Sequence, residues 1–316
     1  MDLEYLYWLQ QLREQSPAWL NSILFGISEF ATGSLVIVLM VLLYWCIDKR
    51  SGERMVFSYV GAMSISQLLK NIACVYRPWK RDARLHIMPE AESSATGYSF
   101  PSGHTTLGTA FYSNLAVFLK KYSKWWILPC AVLIFLTGFS RNWLGAHTPQ
   151  DVIVGWVIAL AFLPISNGLL KLADSRKNAD IVIATVGIAI AAAMLAYTSL
   201  KSYPMDVLED GTLLVDPWEM VTDCYQAFGA LMGMMLGWLI ERRFVHFDTA
   251  GKPMRRVLRG VVGVLLLLVV RKVLKAATNA CLDEHWANFG QMFGLILFAV
   301  AGYPAMFTWV HHRWKE

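Results

Sequence analysis

The chain has 316 residues, 56% hydrophobic and 16% charged, against roughly 25% charged in ordinary soluble domains. That shortage of charge excludes disorder and argues against a soluble enzyme. The net charge of +5 sits at helix ends and in connectors instead of on one continuous basic face, which argues against a nucleic-acid partner.

Apolar stretches of about 20 residues recur about nine times between short polar connectors, each long enough to cross a hydrocarbon core of roughly 30 Å. The reading is an all-α, polytopic transmembrane helical bundle. Tyr44-Trp45, Trp125-Trp126 and Trp309 at stretch ends fit interfacial aromatic belts, and no stretch alternates with the period of two that barrel strands need. At the start, Leu3, Leu6, Leu9 and Leu12 recur like one helical face, which predicts an amphipathic interfacial helix within residues 1–27. Met-Asp-Leu-Glu lacks the basic region of a cleaved signal peptide.

The candidate spans that follow are 28–47, 54–73, 103–120, 124–141, 150–171, 179–199, 223–243, 256–277 and 286–310. A ten-span alternative makes 18–30 a helix, but Glu29 and the shortness of that stretch weigh against it. Basic residues from Lys49, Arg50 and Arg54 through Lys120, Lys171 and Arg242 to Arg313 and Lys315 fall in connectors on one side. The positive-inside rule makes that side, with the C-terminus, cytoplasmic and leaves the N-terminus outside. Gly229, Gly233 and Gly237, at intervals of four, predict close approach of another helix. The five cysteines show no zinc or redox spacing, and a Cys224–Cys281 disulfide would require both to face outward.

Three clusters map to the outer side. Lys70 is followed by Arg77-Pro78; a lysine at a helix end, taken alone, is a snorkelling anchor. Pro101-Ser102-Gly103-His104 opens a span with an N-cap serine and a glycine where free amides receive an anion. Taken alone, it is a capped helix with an interfacial histidine. Ser140-Arg141, His147 and Asp151 straddle the next two spans. Thr148-Pro149-Gln150-Asp151 also reads as a capped helix start, so Asp151 has a structural role. Its spacing from His147 equally lets the carboxylate accept from one ring nitrogen and leave the other as a nucleophile. Together these residues match phosphoryl transfer, which needs fixed positive charge and amides around the equatorial oxygens, an in-line nucleophile and an acid for the leaving oxygen. The residues alone leave open which histidine attacks.

These positions resemble the three-part signature of the type-2 phosphatidic acid phosphatases, grouped with the vanadium haloperoxidases and glucose-6-phosphatases. The motifs cover residues 70–151, and the surrounding resemblance makes 28–171 a catalytic helical core and 172–316 a set of C-terminal transmembrane helices. The resemblance implies that His147 attacks phosphorus to give a phosphohistidine, supported by Asp151. His104 would protonate the leaving oxygen and then activate water, while Lys70, Arg77, Ser102, the Gly103 amide and Arg141 hold the phosphate. No metal and no cofactor are expected, because cationic side chains stand where a divalent ion would.

The expected partner is an anionic membrane lipid: phosphatidic acid, a sphingoid phosphate or a polyprenyl diphosphate. The expected setting is a bacterial inner or plasma membrane with the site facing the periplasm or outside. Trp79, Lys80, Arg81, Arg84, His86 and Tyr98 are candidate guides for the headgroup. The long layout is similar to sphingosine-phosphate phosphatases and glucose-6-phosphatase, which keeps a soluble sugar phosphate open as substrate. A phosphotransferase stays open too, since a phosphohistidine can discharge to acceptors other than water. A flippase reading rests on Arg271, Lys272 and Lys275, which snorkelling also explains. The sequence does not specify an oligomeric state.

Overall fold

A computed structural model describes residues 2–208 and 211–313, and the regular structure among them is helical. The first helices are α1 (Asp2–Gln15), α2 (Ala18–Phe30) and α3 (Ser34–Leu42), which continues as a π-turn (Leu43–Ile47) before α4 (Lys49–Ala73). Short α5 (Pro78–Arg81) and α6 (Pro89–Glu92) precede α7 (Gly103–Leu119), α8 (Ile127–Trp143), α9 (Pro149–Ser175) and α10 (Ala179–Leu200). The chain ends with α11 (Pro217–Ile240), α12 (Pro253–Cys281), α13 (Glu284–Leu297) and α14 (Tyr303–Arg313). Lys315, counted among the basic connectors, lies outside the described residues.

The single interfacial helix expected within residues 1–27 is instead two helices. Pro17 has no N–H to continue α1 and stands at the N-cap of α2. Leu6 and Leu9 are buried as the leucine spacing implies, but Gln10 and Arg13 are buried with them while Leu12 is 37% exposed. Arg13 explains the difference: it donates to the carbonyls of Trp143 (2.9 Å) and His86 (2.7 Å), fastening α1 to the end of α8. Residues 18–30, set aside in the nine-span reading, are helical, and the expected span 28–47 breaks between Phe30 and Ser34. The helices Ala18–Phe30 and Ser34–Ile47 meet at 47° and together are apolar enough for one bent crossing.

Among the described residues, Pro149–Ser175, Ala179–Leu200 and Glu284–Val310 are each long and apolar enough to cross a membrane alone. By contrast, α7 and α8 have 17 residues each, about 26 Å at 1.5 Å per residue, short of the full hydrocarbon thickness. The chain is an integral membrane protein, and among the described residues three helices, or four with the bent pair, are long and apolar enough to cross. Val257, Val261, Leu265, Leu268 and Val273 of α12 are exposed, as side chains facing lipid are. Arg271, Lys272 and Lys275 stand exposed on the same helix, where snorkelling anchors belong.

The chain forms two compact units interleaved in sequence. One is Met1–Val36, Ile65–Pro164 and Leu200–Val221; the other is Ile37–Ser64, Ile165–Ser199 and Thr222–Glu316. A linear division at residues 27 and 171 is therefore not the division into compact units. In the first unit, Leu6, Leu9 and Leu24 pack with Leu85, Trp143 and Leu144, joining α1, α2 and the connector before α7 to the end of α8. In the second, α11 and α13 pack backbone to backbone: a Cβ added at Gly229 would lie 2.6 Å from the Phe289 carbonyl oxygen, and one at Gly233 3.0 Å from Phe293 Cα. The partner position advances with the glycine, so the two helices run parallel. Also within this unit, Lys49–Glu241 (2.6 Å), Arg50–Asp174 (2.6 Å) and Arg242–Asp174 (2.9 Å) tie three basic connectors together. Cys224 is buried and Cys281 exposed, both as free thiols; the two do not share the facing geometry a disulfide requires.

Candidate active site

All the signature residues lie in the first unit. Lys70, in the last turn of α4, is buried and donates to the Tyr98 carbonyl at 2.7 Å. Arg77 is the N-cap of α5, with Pro78 pre-set at the first helical position. Its guanidinium is held on several sides: Nε to Gly97 O (3.1 Å), Nη2 to Thr96 O (2.6 Å), and Nη1 to Ala146 O (3.1 Å) and to His147 Nε2 (2.8 Å).

Ser102 caps α7, its hydroxyl accepting from Thr105 N (3.4 Å) and Thr105 Oγ1 (2.9 Å). Its own N–H donates to Asp151 O at 3.0 Å, joining the second motif to the third. Beyond the Gly103 backbone, where a side chain would begin, lies open space. Arg141 is fully buried at the end of α8. The chain then turns through Gly145 at φ +76°, where a Cβ would lie 2.9 Å from the His86 carbonyl oxygen. Asn142 Nδ2 donates to His147 O at 2.8 Å and so holds the loop that carries the imidazole.

Asp151 has the capping role, and its carboxylate also faces the His147 ring, without a direct hydrogen bond to it. Its Oδ2 accepts from Thr148 N at 2.8 Å while Thr148 Oγ1 accepts from Asp151 N at 3.4 Å, a reciprocal cap of α9. The same Oδ2 lies 3.5 Å from His147 Nδ1. Ser99, which the sequence reading missed, links the two: its hydroxyl donates to Asp151 Oδ2 at 2.6 Å and lies 3.4 Å from His147 Nδ1.

An arginine N–H can only donate, so Nε2 of His147 must accept, which puts the ring proton on Nδ1 facing Ser99 and Asp151. Burial, then Arg77, Arg141, Lys70 and His104, hold His147 well below the ordinary imidazole range. The ring is neutral at neutral pH, with its lone pair on Nε2. Burial and Arg141 lower Arg77 to about 9, opposed by Asp151, which leaves it charged at pH 7.

Two further residues missed by sequence come from α2. Arg141 Nη1 donates to Ser28 Oγ at 2.7 Å and lies 3.8 Å from Glu29 Oε1. That carboxylate oxygen is also 3.2 Å from His104 Nε2, without the alignment of a hydrogen bond. Arg141 Nε and Nη2 are buried without a hydrogen-bond partner in the protein. Orphaned buried donors cost about 1–3 kcal/mol each, and these two lie on one edge of the guanidinium, the geometry that in general suits two oxygens of a carboxylate or phosphate. A charge inside an apolar stretch was the available signal for Glu29; the sequence reading counted it against a helix instead. Tyr98, a candidate headgroup guide, is fully buried, and exposed Arg84 is paired with Glu4 (2.5 Å) and Asp82 (2.8 Å).

Buried cations around a neutral imidazole, with an unpartnered guanidinium edge in the same compact unit, make up the candidate site of a helical membrane protein. The chain matches the PAP2 superfamily over residues 53–173 and the PAP2 superfamily phosphatase transmembrane extension over residues 225–313. It is 32% identical over 146 residues to undecaprenyl-diphosphatase BcrC of Bacillus subtilis (strain 168), covering 45% of this chain and 70% of that one. The chain belongs to the PAP2 superfamily, the family its three-part signature resembles.

Sphingosine-1-phosphate phosphatase 1 of Mus musculus is 26% identical over 258 residues, 74% of this chain, which spans 55% of that relative's length. Phosphatidylglycerophosphatase B of Bacillus subtilis (strain 168) is 26% identical over 161 residues, 48% of this chain and 75% of that one. No solved structure matches the chain. Ser28 and Glu29 lie outside both family matches.

Proposed function

We propose that the protein is a metal-independent phosphatase that hydrolyses a lipid phosphate or diphosphate at the outer face of its membrane, through a phosphohistidine. The carrying observation is the neutral His147, whose Nε2 lone pair is held by Arg77 at 2.8 Å in the same site as the orphaned fork of Arg141. In the first step Nε2 forms a bond to phosphorus as the bond to the leaving oxygen breaks, and that oxygen takes a proton from His104. Arg77 Nη1 passes from Nε2 to a phosphoryl oxygen, so the charge that guards the nucleophile becomes the charge that stabilises the transition state. Asp151 and Ser99 hold the Nδ1 side of the ring. In the second step His104 takes a proton from water, the oxygen attacks phosphorus, and the N–P bond breaks to release phosphate. Lys70, Ser102 and the Gly103 amide complete the cage.

The lipid class is supported by the relatives, whose names specify sphingosine phosphate, undecaprenyl diphosphate and phosphatidylglycerophosphate. The outer face is supported by the one-sided distribution of basic connectors. The test is phosphate release by purified protein in detergent with chelator present. Phosphatidic acid, sphingosine phosphate, a polyprenyl diphosphate and glucose 6-phosphate are compared for the wild type and His147→Ala. Release from a lipid, lost in His147→Ala, is expected. Release from glucose 6-phosphate alone would replace the lipid substrate, and release only on adding an acceptor alcohol would make the enzyme a phosphotransferase.

A further inference from the structure

We propose that α2 is part of the catalytic apparatus: Glu29 is the positioning carboxylate of His104, as Asp151 is of His147, and Ser28 aims the fork of Arg141. The inference rests on the reading above in which His104 is the proton donor.

One oxygen, Glu29 Oε1, stands 3.2 Å from His104 Nε2 and 3.8 Å from Arg141 Nη1. It therefore sets the imidazole and the guanidinium in register with each other. Ser28, one residue earlier on the same turn, accepts from that Nη1 at 2.7 Å. The Nη1 corner of Arg141 is thus taken up by α2, and the Nε and Nη2 edge is left to face an anion beside His104.

The charged groups facing His104 are Glu29 from α2, Arg141 from α8 and Arg77 from the connector before α5. Two of the three are positive, and a proton on the ring gains its counter-charge from Glu29. Glu29 sits in a helix whose sequence is otherwise uncharged, Ala18–Phe30, where a carboxylate is costly unless it has a task. The proton that reaches the leaving oxygen comes from His104, and Glu29 stays ionised in both steps.

A positioning carboxylate for the acid makes the rate depend on the leaving group, and a purely structural residue does not. The experiment measures first-turnover alcohol release with phosphatidic acid, an alkyl ester that needs its leaving oxygen protonated, and with an aryl phosphate, whose leaving group is stable as an anion. His104→Gln, Glu29→Gln, Glu29→Asp and Ser28→Ala are compared with the wild type. Glu29→Gln is expected to slow the alkyl ester roughly 10- to 100-fold and the aryl ester only a few-fold, less than the about 10² to 10⁴ that a general acid contributes. Glu29→Asp, which keeps the charge, recovers part of the alkyl rate. Ser28→Ala raises KM for both esters without changing their ratio.

If His104→Gln slows both esters equally, the proton-donor assignment itself fails. If His104→Gln discriminates but Glu29→Gln does not, or if Glu29→Asp is as slow as Glu29→Gln, the role of Glu29 is overturned while the phosphatase reading stands. A change in the ester ratio in Ser28→Ala, or an unchanged KM, overturns the part given to Ser28.

Discussion

Arg77 commits its guanidinium to three backbone carbonyls and the His147 ring, so a lysine there loses orientation while keeping charge. Arg77→Lys should lower kcat/KM by about 10²-fold or more, comparable to losing one transition-state donor, with the protein still eluting as folded. Ser99 bridges His147 and Asp151 through one hydroxyl; Ser99→Ala should cost roughly tenfold in kcat, because the 3.5 Å separation of His147 and Asp151 is otherwise unbridged. The state of His147 gives a pH prediction with a definite sign. Its folded pKa lies well below 6.5, so the ring takes up no proton as pH falls through that value, and the neutral form survives into mildly acid solution. Ring NMR of histidine-labelled protein, with the signal assigned by its loss in His147→Gln, should show no titration between about pH 7 and 6. A midpoint near 6.5 would mean that the ring is solvated. Ser99 was hard to find by sequence because its neighbours advertise a proline turn, and its two partners lie in another segment. Asp151 was readable because its cap and its histidine are both within four residues.

At the scale of elements, several of the candidate site residues stand at helix starts. Ser102 at the start of α7 and Thr148 with Asp151 at the start of α9 are caps first, and as caps they were visible in local sequence. Glycine spacing in α11 likewise announced a close helix neighbour, though not that α13 would be the one. Gly233→Val would force branched carbon into the backbone of Phe293 and should destabilise the protein by about 1–3 kcal/mol, measured as lower thermal stability in detergent. The N-terminal segment went the other way. Leucine periodicity described α1 fairly, yet α1 and α2 are held by Arg13 and Asn21 reaching Trp143. Such polar contacts over long sequence separations leave no trace in periodicity.

For the whole molecule, the proposed outer location of the site rests on charge asymmetry and has a direct check. Cys281 is an exposed free thiol at the end of α12, in the connector assigned to the outside. A variant retaining only this cysteine should react with a membrane-impermeant maleimide in intact cells. Reaction only after the membrane is opened would invert the topology and place the site in the cytoplasm.

The sequence by itself determined the helical membrane class and the family. Apolar run length, caps and motif order are local properties, and each can be read within a few turns of chain. Only the tertiary structure decided that His147 presents Nε2 as its lone pair, that Arg141 keeps one edge open, and that Ser28 and Glu29 share the site. Those features depend on side chains separated by tens of residues or more, Arg77 with His147 and Ser28 with Arg141. Their hydrogen-bond directions exist only once the helices have packed.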